Sequence, residues 1–441
     1  MDTRRVDPKM IPQPSANPTH RMRCLWIARY IPYPSDEGAK VYSANLAQSL
    51  ADSGVAVRFT GFGDASAVPI AAANIEWLAV PGEKRSKAIA SLSAWPIAAA
   101  VDATKAYRVL LEAQLREPWD AIVFDSYATG WALDRCLAYR DEWHAHQPVL
   151  VHVSHNHERL LWSSMAREAR GSALRRLALR RNAHKVSALE RRIVGTADLL
   201  TTITDEDLQS LGAGLQHNRS LVLTPGYLGW IADERHITAA TPRRVIIMGS
   251  FKWVVKQENL ARFVETADPI FKQHGIELDI VGEVPQPLLG TLRARCRATH
   301  FHGFVSDVEP YLTNARIAVV PESIGGGFKL KFLDYIFGRV PVATVSQAVA
   351  GLPAELQRVM LSNGDLTELI RKIVSHIDRF DELNGMQERA FMIAKSQFKW
   401  STRGERLRLA IDNLRQVNAG GNAASNAPPP ANVRAIDLTV S

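Results

Sequence analysis

The stretch that decides the fold runs from Arg316 to Leu352 and reads RIAVVP (316–321), ESIGGGFKLKFLDYIFG (322–338) and RVPVATVSQAVAGL (339–352). An apolar, β-branched run ends at Pro321, and a glycine turn follows at Gly325, Gly326 and Gly327. A helical segment carries Lys329, Lys331 and Asp334, and a second apolar run spans Val340 to Val345. The order is strand, glycine loop, helix, strand. Backbone N–H groups exposed at the start of such a helix, together with the helix dipole, favour an anion. Lys329 and Lys331 add mobile positive charge, so the expected occupant is a phosphate or diphosphate. The Asp334 carboxylate, further along, is placed to accept from a sugar hydroxyl. A bare glycine cluster is equally a tight turn with solvated lysines, so the rest of the chain has to decide.

Outward from this stretch, apolar runs alternate with helical patterns. The first half shows runs at 23–28, 55–61, 121–124, 149–153, 199–203 and 221–224; the second shows them at 245–248, 277–281, 317–320 and 340–345. Continuous apolar strands between helices predict parallel, doubly wound sheets covered on both faces. A turn-rich interval at 225–242 precedes a restart of the pattern. The expected division is a lead-in at 1–20, an N-terminal domain at 21–230, a C-terminal domain at 231–400, a helix at 401–417 and a tail at 418–441. Leu407, Leu409, Ile411 and Leu414 supply the apolar spacing of that last helix.

The 441 residues suffice for two domains, and 46% apolar with 22% charged residues is ordinary for a globular protein. No apolar run approaches the roughly 20 residues of a spanning helix, and no secretory signal is visible. Cys24, Cys136 and Cys296 are isolated, which argues against a disulfide framework or a zinc site and suits the cytoplasm. The net charge of +8 fits nucleic acid, an anionic membrane or a phosphorylated ligand.

Four further segments bear on chemistry. The first strand runs into Arg29-Tyr-Ile-Pro-Tyr-Pro-Ser-Asp-Glu-Gly38, after which a helix begins. The run at 151–153 leads into Ser154-His155-Asn156-His157-Glu158, polar residues where active-site groups are expected, just past a strand end. His155 and His157 do not share a helix face, so their spacing supports no metal pair. Asp125, in Phe-Asp-Ser-Tyr at another strand end, joins them as a candidate. Gly249-Ser-Phe-Lys252-Trp253-Val-Val-Lys256 also follows a strand; Lys252 and Lys256 read either as phosphate contacts or as solvated lysines.

These motifs together resemble family 4 (group 1) glycosyltransferases. The carriers are Pro-Glu-Ser-Ile-Gly-Gly-Gly-Phe-Lys-Leu-Lys-Phe-Leu-Asp with Gly-Arg-Val-Pro-Val-Ala, the N-terminal Pro-x-Pro and Gly38 loop, Gly282-Glu283, Gly303-Phe-Val-Ser-Asp307-Val, and Phe398-Lys-Trp400. The resemblance implies a GT-B α/β fold: two Rossmann-like doubly wound domains facing across a cleft, with the last helix crossing back to the N-terminal domain. It implies transfer of a sugar from a nucleotide-sugar to a glycan or polyprenyl-linked acceptor in surface or exopolysaccharide synthesis, with retention and no metal or other cofactor. The donor contacts it implies are Gly38, Lys252, Lys256, Gly282, Glu322, Gly325, Gly326, Gly327, Phe328, Lys329, Lys331 and Asp334. His155, His157 and Asp125 would face the acceptor. Two positions depart from the family pattern: Gly326 stands where many members have an acid, with Glu322 nearby but out of register, and Asp334 replaces a longer Glu. A GT-B sugar-nucleotide epimerase and a non-catalytic nucleotide-binding relative remain as alternatives.

The segment from Arg159 to Arg192 is strongly basic, with Leu160, Leu161, Trp162, Met165, Leu174 and Leu177 interleaved. It reads as a charged helix over a core stripe or as a face for an anionic membrane, which would place the protein on the inner face of the cytoplasmic membrane. No recognisable nucleic-acid module accompanies the charge, so no nucleic-acid partner is expected.

Overall fold

The computed structural model describes residues 21–425 except 36, 73, 143–146, 169–171, 213–218 and 324–326, with only the backbone described over 418–425. Two parallel sheets organise the chain. The first contains β1 (Arg23–Tyr30), β2 (Ala56–Phe62), β3 (Glu76–Val80), β4 (Ala121–Asp125), β5 (Val149–Val153), β6 (Leu199–Thr202) and β7 (Ser220–Val222), in the order β3-β2-β1-β4-β5-β6-β7. The second contains β8 (Arg244–Met248), β9 (Glu277–Val281), β10 (Thr299–Gly303), β11 (Ile317–Val320), β12 (Val342–Val345) and β13 (Leu361–Asn363), in the order β10-β9-β8-β11-β12-β13. This is the expected pair of doubly wound domains.

The strands read as unbroken apolar runs because both faces are covered. Along β1, Cys24, Trp26 and Ala28 join one core, while Leu25 and Ile27 join the core on the opposite face. Three strands escape the sequence pattern: β3, β10 and β13. All three are outermost in their sheets. Thr299-His-Phe-His-Gly alternates half-buried and exposed positions, as a strand with a wetter edge does, and β13 has three residues.

In each sheet the strand order reverses beside the first strand, between β1 and β4 and between β8 and β11. The loops leaving these strands open a crevice where doubly wound folds bind ligands. The helix Trp400–Ser425 runs eight residues beyond the expected end at 417. It packs on the helix Gly38–Asp52, so the chain crosses back to the N-terminal domain. Trp400, Leu407, Ile411 and Leu414 enter that domain's core. Leu409 does not: it lies on the solvent side of the helix, 45% exposed. Gly404 permits the close crossing, since a Cβ there would meet the Ser49 carbonyl oxygen at 2.0 Å.

Candidate nucleotide-sugar cleft

A cleft of about 540 Å³ lies between the domains, within the roughly 300–1,000 Å³ usual for ligand sites. Its N-terminal wall contains Glu37, Gly38, Tyr42, His155 and Asn156. Its C-terminal wall contains Gly249, Ser250, Lys252, Trp253, Lys256, Glu322, Phe328, Lys329, Lys331 and Asp334. Sequence positions some 300 residues apart meet here, because the β1 and β11 loops both project from reversal points of their sheets.

The C-terminal wall is a lysine cluster. Lys331 Nζ lies 2.5 Å from Glu322 Oε1, an ion pair almost closed to solvent. Glu322 Oε2 has no hydrogen-bond partner among the described residues. Lys329 Nζ donates to the Gly327 carbonyl at 2.8 Å. Burial pushes the Lys329 ammonium down to about 8, with Lys331 and Lys256 pressing the same way against Glu322 and Asp207. Burial also lowers Lys256, again helped by Lys331. Lys252 is more open and pairs loosely with Glu283 at 3.4 Å. Cations that depress one another in this way gain most from a bound polyanion. Burial lifts the Asp334 carboxyl to about 6, against a contact from the Tyr227 hydroxyl and the charge of Lys331.

Glycines let backbone and lysine approach. Gly249, at φ +154°, lies under Lys331: an added Cβ would sit 3.2 Å from its Nζ. Gly327 adopts φ +74° and faces Asn156 of the opposite domain, whose Oδ1 a Cβ would meet at 2.5 Å. Gly38 opens the helix Gly38–Asp52 and faces Leu330 across the cleft. Gly325 and Gly326 lie outside the described residues.

The N-terminal wall is built on a relay of buried partners. His155 Nε2 lies 2.5 Å from Asp125 Oδ1, and the other oxygen of Asp125 accepts from Trp26 Nε1 at 2.8 Å. Burial raises the Asp125 carboxyl, but the His155 charge and hydrogen bonds from His155, Trp26 and Ser43 outweigh it and hold it low. The His155 ring meets Tyr42 edge-on at 5.4 Å, and its Nδ1 has no partner among the described residues. The ring is therefore fixed by one nitrogen, with the other left for a ligand.

The structure brings together Gly38, His155, Lys252, Lys256, Glu322, Phe328, Lys329, Lys331 and Asp334. It separates two others. His157 is buried, bonded to Ser210 Oγ at 2.7 Å and packed near Glu190, so burial drives its pKa to about 4 and it does not line the cleft. One residue either side of Asn156, the turn sends the two histidines in different directions. Gly282 packs on the backbone behind the wall, where a Cβ would overlap the Gly249 carbonyl oxygen at 1.9 Å, and is not among the residues lining the cleft. Asp125 reaches the cleft through His155. Glu37, Asn156, Tyr227 and Trp253 were not among the expected site residues. Trp253 and Asn156 sit inside motifs already singled out, whereas Tyr227 lies in the turn-rich interval, which gave no signal.

Among the described residues, no group of three or more His, Cys, Asp or Glu side chains is arranged to hold a metal.

Residues 242–379, covering most of the second domain, match the family described as glycosyl transferases group 1. No curated protein matches the chain. Among solved structures it is similar to Anabaena Alr3699/HepE in complex with UDP and glucose, at 13% identity over 89% of this chain and 100% of that one, with a TM-score of 0.57. It is also similar to WaaG, a glycosyltransferase involved in lipopolysaccharide biosynthesis, at 18% identity, 89% and 99% coverage and a TM-score of 0.58. A glycosyltransferase from Rickettsia africae ESF-5 gives 11% identity, 90% and 99% coverage and a TM-score of 0.59. The class defined by the fold is therefore GT-B. More particularly, its second domain is where the sequence matches the glycosyl transferases group 1 family.

Proposed function

We propose that the chain is a family 4 glycosyltransferase of group 1, which moves a hexosyl or related unit from a nucleotide-sugar to a glycan or lipid-linked acceptor. The observation that carries this reading is the set of Lys252, Lys256, Lys329 and Lys331 converging on one wall of the interdomain cleft, with Asp334 beside them. The lysines neutralise the leaving diphosphate as its charge develops, the largest catalytic contribution expected in such a site. They supply the charge that a divalent cation would otherwise bring, so no metal is required. Asp334 accepts from the ribose, with its shorter arm offset by the closeness of Tyr227 and Lys331. His155, fixed by Asp125, faces the transferred sugar and the incoming hydroxyl. Retention of configuration, which the family resemblance implies, and a role in surface or exopolysaccharide synthesis complete the reading; the likeness to WaaG, a glycosyltransferase involved in lipopolysaccharide biosynthesis, supports the second.

The decisive experiment is a screen of UDP-, GDP-, ADP- and dTDP-sugars for nucleotide release, paired with calorimetric titration of UDP and GDP. Binding of one nucleotide with release from its sugar is expected. Absence of binding by every nucleotide sinks the enzyme reading. Epimerised sugar from donor alone would instead favour the epimerase.

A membrane-bound acceptor suits the basic segment. The helices Glu158–Glu168 and Ala173–Thr196 leave Leu160, Leu174 and Leu177 exposed, with Arg175, Arg176, Arg180 and Arg181 on the surface around them. Apolar side chains ringed by arginine match an anionic bilayer surface. No helix among the described residues is long and apolar enough to cross a membrane. Co-sedimentation with phosphatidylglycerol vesicles at low salt, lost at high salt and absent with phosphatidylcholine, is the expected result.

A further inference from the structure

Glu190, only 1% exposed, lies in the helix Ala173–Thr196 and turns both carboxylate oxygens to backbone. Oε1 accepts from the Glu158 N–H at 2.8 Å and Oε2 from the Arg159 N–H at 2.9 Å. These are the first two amides of the helix Glu158–Glu168, donors that have no partner within the helix. The residue before a helix ordinarily takes such a donor with its side chain. Here that residue is His157, whose ring is committed to Ser210. The cap comes instead from 32 and 31 residues further along the chain.

What it holds is the turn that carries His155 and Asn156 into the cleft. That turn has three anchors. The Ser154 N–H donates to the Thr201 carbonyl in β6 at 2.9 Å, His157 is fixed on Ser210, and Glu190 fixes the backbone at Glu158 and Arg159. Asp125 orients the His155 ring; the three anchors set where its backbone stands. Among them only Glu190 depends on a charge. Each of its oxygens serves one amide, so both must be acceptors. Protonation, or replacement by an amide, leaves a buried N–H facing another donor.

Four groups face this carboxylate: Glu158 and Arg159 at the helix start, His157 with its Nε2 3.8 Å away, and Tyr127 from the turn after β4. Burial keeps the His157 ring neutral near pH 7, and its Nε2 accepts from Arg159 Nε at 3.3 Å, so it brings no cation. Burial pushes the Glu190 carboxyl up to about 7, against the pull of the two amides; the Glu158 charge adds to the rise and the Arg159 charge opposes it.

We propose that Glu190 is a positioning residue for the transfer reaction: as a carboxylate it caps the helix behind the turn with both oxygens and so holds His155 in the cleft. The inference rests on the glycosyltransferase reading and adds to it a group that acts without touching substrate.

The test compares the full chain with Glu190→Gln, which keeps the shape of the side chain and loses one acceptor. The donor is whichever UDP-, GDP-, ADP- or dTDP-sugar releases nucleotide. At pH 8 kcat should fall about tenfold, with the donor KM within about twofold. At pH 5.5 the parent carboxyl is itself protonated, so the ratio of the two kcat values should shrink to less than about twofold. The ratio cancels titrations common to both proteins. A second readout needs no substrate: in 15N-histidine-labelled chain, the His155 ring signal, assigned by its loss in His155→Gln, should differ between parent and Glu190→Gln at pH 8 and coincide at pH 5.5. The proposal is overturned by an unchanged kcat, by a kcat ratio constant with pH, by an unmoved His155 signal at pH 8, or by a collapsed thermal melt, which would mark a cap for the fold alone. Absence of turnover with every donor is a failure of the glycosyltransferase reading, and the NMR shift then still upholds or removes the hold of Glu190 on His155.

Discussion

The two walls of the cleft hold charge in opposite ways. On the N-terminal side buried charges are matched: His155 with Asp125, and Arg29 and Lys84 with the buried Asp102. On the C-terminal wall four lysines crowd together with Glu322, Asp334 and, beside Lys252, Glu283; burial first and neighbouring lysines after it depress two of them, Lys329 and Lys256. A matched wall is rigid and selects by shape and hydrogen bonding. An unmatched wall is poised for a ligand that brings the missing charge. The difference fits the diphosphate proposed for the C-terminal side.

The strongest break in that contrast is removal of the positive excess. Lys329→Ala combined with Lys331→Met and Glu322→Gln deletes two cations without leaving a buried carboxylate alone. Two charge-assisted hydrogen bonds at about 1.5–3 kcal/mol each predict a loss of about 100-fold or more in UDP or GDP affinity by calorimetry. The thermal melt should stay close to that of the parent chain, since the buried pair is removed together. A collapse of the melt would show that these lysines hold the fold rather than the ligand.

Asp125→Asn attacks the other wall. The amide keeps a hydrogen bond to His155 but removes the charge that holds the ring and keeps one nitrogen committed. A fall in kcat of about 10- to 100-fold, with nucleotide affinity unchanged, is expected from steady-state kinetics beside calorimetry. An unaltered kcat would remove His155 from the reaction.

The pH dependence separates the walls without mutation. Lys329 titrates near 8 in the free chain, and a bound diphosphate raises that value. Nucleotide affinity should therefore be flat up to about pH 8 and weaken above it, approaching tenfold per unit at the steepest. The window from 7.5 to 9.5 lies above the terminal phosphate's own titration, which falls near 6. Lys329→Met should flatten the curve.

The walls also differed in how far they could be read from sequence. Most of the C-terminal wall comes from two short segments, 249–256 and 322–334, so its lysines and glycines appear side by side in the chain. The N-terminal side is assembled from Arg29–Ser43, Ala98, Asp125–Tyr127 and His155–Met165, which meet only when β1, β4 and β5 pair. Strand-end position flagged Asp125 and both histidines, but the turn between them decided that His155 lines the cleft and His157 bonds to Ser210. That outcome depends on the turn at Asn156 and on Glu190, which accepts from the Glu158 and Arg159 N–H groups. Glu190 is about thirty residues further along and gives no local sign. The core strands were legible because both of their faces are buried; of the four outermost strands β3, β10 and β13 were missed, and β7 alone showed as an apolar run.

The smallest expected effect, on stability, sharpens the account of the unmatched wall. Burial lifts Asp334 to about 6, well above its unfolded value near 4. The folded chain thus binds more protons than the unfolded chain between about pH 4 and 6, and the carboxylate costs stability progressively as pH rises through that range, in full above about 6. Asp334→Asn removes the cost while keeping an acceptor toward Tyr227. At pH 7 it should stabilise the protein by on the order of 1 kcal/mol, a rise of about 2 °C in Tm, and the gain should vanish near pH 4. Nucleotide affinity should fall by about threefold to tenfold, as a charged hydrogen bond to ribose is replaced by a neutral one. Greater stability with weaker binding is the signature of a carboxylate kept for its ligand. A variant that loses stability at pH 7 would instead mark Asp334 as a structural partner of Tyr227, and would leave the lysines as the only donor contacts on that wall that carry charge.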